Sequence, residues 1–165
     1  MRRTTLGFAF LALTLPVTTF AAGSITVPKK VPYSKDVHIP DAVRAECGLE
    51  QKTAEYVRDA LGGKFDKVSV ADSVSGGTPG KALSLRITSV LAPGGGAWSG
   101  PKSVTVEGTL YDGGKTIGSF TARRHTTRGH GTCGMLQRDA KEIAGDISKW
   151  IGSPGMGDKL GDAAK

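Results

Sequence analysis

The chain has 165 residues, 22 Lys and Arg against 15 Asp and Glu, a formal net charge of +7, and only two cysteines. That length fits one domain. The moderate basic excess favours acidic partners without selecting nucleic acid. Two cysteines exclude a dense disulfide scaffold and leave room for a single clasp.

The chain opens on Met1-Arg2-Arg3, runs through an apolar stretch from Leu6 to about Phe20, and reaches the small residues of "TTFAAGS". This order predicts a secretory signal peptide over residues 1–21, cleaved after Ala21. The apolar run is too short, and too interrupted by Pro16, for a membrane span. No cysteine stands at the cleavage site for lipidation. Cleavage removes Arg2 and Arg3, lowering the net charge by two, and delivers the chain to the periplasm or the exterior. Export argues against DNA or RNA as partner. In an oxidising compartment Cys47 and Cys133 are expected to pair.

Residues 22–40 hold three prolines in "VPKKVPYSKDVHIP" and read as an extended lead-in containing at most a short edge strand. A single domain is expected over residues 41–152. Asp41 is placed to cap a helix, and Val43, Cys47, Ala54, Val57 and Leu61 recur at helical spacing until Gly62-Gly63. Gly48 divides that stretch into a short turn and a longer helix.

The period then changes to two. "KVSVADS" places Val68 and Val70 on one face, and "ALSLRITSVL" alternates through Leu83, Leu85 and Ile87. "SVTVEGTLYD" alternates through Val104, Val106 and Leu110, with Thr105, Glu107 and Thr109 facing away. "KTIGSFTARR" gives a fourth strand in which Ile117 and Phe120 disagree about phase. Asp112-Gly113-Gly114 tolerates the positive φ of a tight hairpin. A last helix from Met135 to Ile151 carries Leu136, Ala140, Ile143, Ile147 and Trp150 as one stripe, with Arg138, Asp139, Lys141, Glu142 and Lys149 on the polar side. Thr132 reads as its N-cap. Residues 153–165, poor in apolar surface, are expected to be a mobile tail. The predicted fold is α+β, a two-layer sandwich of a four-stranded, mainly antiparallel sheet with two helices on one face.

Candidate chemistry is sparse. "GGGAWSGPKS" approaches a phosphate-binding loop, but Pro101 displaces Lys102, and a strand follows where a helix is required. It reads as a glycine-rich turn with Trp98 as a candidate anchor for a partner. "RRHTTRGHGTCG" gathers Arg123, Arg124, His125, Arg128 and His130 at the entry to the last helix. They could form an anion-binding lip, since guanidinium groups grip carboxylate or phosphate bidentately; a solvated loop is the plainer alternative. Zinc on His125, His130, Cys133 and Cys47 matches no standard spacing and competes with the disulfide, so no metal and no cofactor is expected. A thiol enzyme using Cys133 beside His130 meets the same objection. Ser73, Ser75, Ser99 and Ser103 stand in no nucleophile-elbow pattern, and His38 is isolated.

From Val43 to Ile151 the segments "AECGLEQKTAEYV", "GGGAWSGPKSVTVEGTLYDGGKTIGSFTARR" and "GTCGMLQRDAKEIAGDISKWI" resemble small uncharacterised exported proteobacterial proteins. More distantly they resemble a domain-of-unknown-function family of envelope lipoproteins. The architecture is also similar to the α/β domains of the TolB N-terminus and the curli-export lipoprotein, which are assembly modules. The resemblance speaks to fold more than to function. A secreted two-layer domain with no assembled active-site constellation, with Trp98 and the arginine cluster as candidate surfaces, is expected to be a non-catalytic periplasmic domain that binds another envelope component, a protein. The second reading is a small anionic-ligand binder built on the Arg123–His130 loop, and the last a thiol or hydrolytic enzyme.

Overall fold

The computed structural model describes residues 23–37, 39–93 and 100–165. The expected signal peptide, His38 and Trp98 lie outside the described residues. Six strands form one sheet: β1 (Ser24–Pro28), β2 (Lys67–Ala71), β3 (Lys81–Leu91), β4 (Lys102–Asp112), β5 (Lys115–Thr126) and β6 (Asp158–Gly161). The helices are α1 (Asp41–Glu46), α2 (Leu49–Leu61) and α3 (Thr132–Trp150), with a short 3-10 turn over Asp162–Ala164. The fold is mixed α+β, as the sequence predicts, but the sheet has six strands and not four.

The order across the sheet is β2-β1-β3-β4-β5-β6. Only β3–β4 and β4–β5 are antiparallel; β1 runs parallel to both β2 and β3, and β6 runs parallel to β5. The expected meander therefore holds for three strands and fails at both margins. The lead-in is not peripheral: β1 lies between β2 and β3, and Ile25, Val27 and Val31 are buried. Its alternating "SITV" supplies a core face, and the prolines that suggested an edge fall at or beyond its end, where no ladder donor is needed. After it, the Val31 amide donates to the Glu50 carbonyl, the Ser34 amide to the Ile87 carbonyl, and the Ile87 amide to the Pro32 carbonyl.

The tail is likewise structured. Its apolar content is small, but backbone pairing substitutes for burial: Phe120 to Arg123 of β5 pair with Asp158 to Gly161. The Asp158 carboxylate accepts from Trp150 Nε1 and the Gly155 amide, both at 2.8 Å. Gly161 is required there. Its φ is +62°, and a Cβ would lie 2.7 Å from the Arg123 carbonyl oxygen.

Local sequence explains the remaining elements. Gly48, with φ +55°, separates α1 from α2. Pro40 and Gly131, not Asp41 and Thr132, occupy the two N-cap positions, and neither helix start has a side-chain cap. A register shift at Leu110/Tyr111 resolves the phase conflict in β5, leaving Ile117 exposed and Phe120 buried. Phe120 meets Trp150 edge-on at 4.7 Å and fills the space above Gly108, where any side chain would collide with its ring.

One hydrophobic cluster joins Val57 and Leu61 of α2, Leu136, Ile143 and Ile147 of α3, and the inward residues of β1, β3, β4 and β5. α3 packs on β4 and β5, and α2 packs on α3. Ser148 Oγ donates to the Ala60 carbonyl and Gln137 Nε2 to the Cys47 carbonyl, each at 2.9 Å, reinforcing the helix pair. Between them Cys47 and Cys133 form a disulfide with a Cα–Cα distance of 4.9 Å.

Candidate functional site

The polar cluster entering α3 does not assemble as one lip. Successive residues of β5 point to opposite sides of the sheet, so Arg123 and His125 part from Arg124. The Arg124 guanidinium is taken by Asp146 of α3 through two bonds of 2.7 Å, with Glu142 at 4.0 Å. This bidentate pair occupies the geometry an anionic ligand would need. His125 donates its backbone amide to Asp162, and its Nδ1 lies 2.7 Å from the same carboxylate oxygen. The ammonium of Lys165, foremost, and then His125 hold the Asp162 carboxyl down at about 2. Arg128 and His130 are exposed on the loop. The acidic residues that divide this cluster come from α3 and from the C-terminal segment, which the sequence reading had set aside as a tail.

The disulfide uses both sulfurs, so in the oxidised chain Cys133 is not a thiolate and the set of Cys47, Cys133, His125 and His130 is dismantled. The glycine-rich turn is also explained. Lys102 is fully buried, and its Nζ donates to the carbonyls of Pro93 at 2.9 Å and Gly100 at 3.2 Å. A lysine committed to the loop's own backbone is not available to a phosphate.

The sequence reading missed Asp139. Placed on the polar side of α3 by pattern, it is fully buried. One oxygen accepts from Thr126 Oγ1 at 2.6 Å; the other has no partner among the described residues. Burial raises its carboxyl to about 6, against the lowering effect of the Thr126 bond. Its spacing, three residues after Leu136 and four before Ile143, sets it beside the core stripe of α3.

The outward positions of the three antiparallel strands make a different surface. Ser84, Thr109 and Ser119 stand in one cross-strand row; Arg86, Glu107 and Thr121 stand in the next. Arg86 Nε lies 3.2 Å from the Glu107 carboxylate. Thr105 and Arg123 continue the pattern. A depression of about 500 Å3 opens here, with Tyr111 at one end and Gly157 at its border. Hydroxyls and one ion pair, on a rigid sheet, offer donors and acceptors without a nucleophile–base pair.

Among the described residues no helix is long and apolar enough to cross a membrane. No protein-family model matches the chain, and no curated protein matches it. The fold is shared with solved structures. PelC from Paraburkholderia phytofirmans, solved as a dodecamer, is 15% identical with a TM-score of 0.51, over 80% of this chain and 93% of that one. A Xanthomonas campestris protein of the DUF330 family is 10% identical with a TM-score of 0.43, over 82% and 88%. A minor lipoprotein from Acinetobacter baumannii is 14% identical with a TM-score of 0.41, over 79% and 90%. The likeness to PelC is one of fold.

Proposed function

We propose that this chain is a non-catalytic domain of the bacterial envelope, working outside the cytoplasm, that binds a protein partner through the uncovered face of its sheet. The observation that carries the reading is that face itself: hydroxyl rows and the Arg86–Glu107 pair line a depression of about 500 Å3, and Arg123 stands in the next cross-strand row, paired with Thr105. The reading takes the fold as two layers, helices over one face, supported by the alternation of buried and exposed residues along β3, β4 and β5. The Cys47–Cys133 disulfide supports an oxidising compartment. The likeness of fold to a dodecamer makes a further copy of this chain one partner to test.

The test compares Glu107→Lys, Thr109→Arg and Arg123→Glu with Trp98→Ala and with Arg128→Glu/His130→Glu in recovery of cross-linked partners from envelope extracts. Light scattering follows self-association. Loss of a partner with the first three variants, at an unchanged melting temperature, supports the open face. Retention with those three and loss with the loop variants transfers the site to the loop. Retention by every variant rejects both surfaces.

A further inference from the structure

Among the described residues β2 ends the sheet on one side, so one row of its backbone amides and carbonyls has no described strand beside it. Such an edge is a template for another strand unless charge, proline or a cover blunts it. "KVSVA" contains no proline, and its only charge is Lys67 at the start. Val70 is 51% exposed, although its register partner Val27 on β1 is buried. Half of an apolar side chain that belongs to the core side of the sheet is therefore left open.

At the end of this strand a groove of about 590 Å3 lies between α2 and the last residues of β1 and β2. Pro28, Ala54, Val70 and Ala71 give it an apolar floor. Lys29, Lys30 and Arg58 bring three cations to it. Lys29 and Lys30 make no ion pair among the described residues, and Arg58 meets only the exposed Asp59, at 3.2 Å. Of the two acids lining the groove, Glu55 is already held by Lys52 at 3.0 Å and Gln51 at 2.9 Å, which leaves Asp72 at the rim. The Lys29 amide donates to the Ala71 carbonyl, which fixes the lysine pair beside the end of β2.

An edge strand with a helix-lined groove and cations at its end offers the elements of recognition by strand addition, in which backbone bonds give affinity and alternate side chains give specificity. We propose that the β2–α2 groove takes an extended, acidic segment of a partner protein. The segment adds to the edge of β2, covers Val70 with an apolar side chain, and sets a carboxylate side chain among Lys29, Lys30 and Arg58. This site lies apart from the open face of β3–β5 and does not depend on it.

The experiment selects a pool of randomised, C-terminally amidated octapeptides on the purified chain, disulfide intact. Enriched peptides are measured by fluorescence anisotropy and by amide exchange of the protein. The expected result is enrichment of peptides with Glu or Asp beside a β-branched residue, slowed exchange in residues 67–71, and at least a tenfold loss of affinity when the acidic residue becomes Gln or Asn. Lys29→Glu/Lys30→Glu and, separately, Val70→Lys should each cost a similar factor while leaving the melting curve unchanged, because all three side chains are exposed. Failure to enrich any peptide over the Lys29→Glu/Lys30→Glu/Val70→Lys chain overturns the proposal. So does protection confined to β3–β5, or self-association through β2 that Val70→Lys abolishes. Success or failure of the open-face variants leaves this outcome unaffected, so the two readings fail separately.

Discussion

Asp139 offers a sharp test of the packing. Its side chain is fully buried, one oxygen is unpartnered, and its carboxyl stands at about 6 in the fold against 3.8 ordinarily. Because the folded value is the higher one, the fold favours the protonated acid. Its contribution to stability is full below pH 3.8 and is lost as pH rises through 6. The difference corresponds to about 3 kcal/mol, at about 1.4 kcal/mol for each pH unit. Asp139→Asn keeps an oxygen for Thr126 and carries no charge, so it should not show this loss. Urea unfolding of both proteins at intervals from pH 3.5 to 7.5, disulfide intact, measures the difference directly. The stability of the parent should fall relative to Asp139→Asn by up to about 3 kcal/mol across that range, with the steepest change between pH 4 and 6. Asp162, held near 2 by Lys165 and His125, stays ionised over most of this window, and its own loss of stability comes only as pH falls toward 2. Two curves that run parallel from pH 3.5 to 7.5 would refute the account of Asp139 as a buried acid.

Three further outcomes follow from the same contacts. Breaking the clasp by Cys47→Ser/Cys133→Ser opens a loop with a sequence separation of 86, and chain entropy assigns this about 4–5 kcal/mol, read as a lower urea midpoint. Lys102→Met strips the Pro93 and Gly100 carbonyls of a buried donor, and should cost about 2–3 kcal/mol in the same assay. Deleting residues 156–165 removes β6 and the Asp158 acceptor of Trp150 Nε1. A loss of at least about 2 kcal/mol and a changed Trp150 fluorescence should result; a chain that melts like the parent would mean the C-terminal strand contributes nothing.

What the sequence determined by itself was local and periodic. Alternation in residues 67–73, 82–91, 103–112 and 115–124 located four strands, which the structure bounds at Lys67–Ala71, Lys81–Leu91, Lys102–Asp112 and Lys115–Thr126, and the Leu136–Trp150 stripe located α3. Gly48 and Gly113-Gly114 marked chain reversals because their backbone needs positive φ, which is a property of the residue and not of its surroundings. The disulfide was legible because two cysteines in a chain whose start reads as a signal peptide have few other expected fates. Tertiary structure alone decided what depends on neighbours distant in the chain. The prolines at and after the end of β1 made it read as an edge, and the small apolar content of the C-terminal segment hid β6; each is fixed by pairing with strands distant in the chain, β1 with β2 and β3 and β6 with β5. The arginine–histidine cluster looked like one site in sequence, yet strand alternation split it and Asp146 and Asp162 neutralised parts of it. Asp139 lies on a helix whose spacing marks it as polar, and only the approach of Thr126 from β5 explains its burial. The groove lies between α2 and the ends of β1 and β2, and no single segment encodes that juxtaposition.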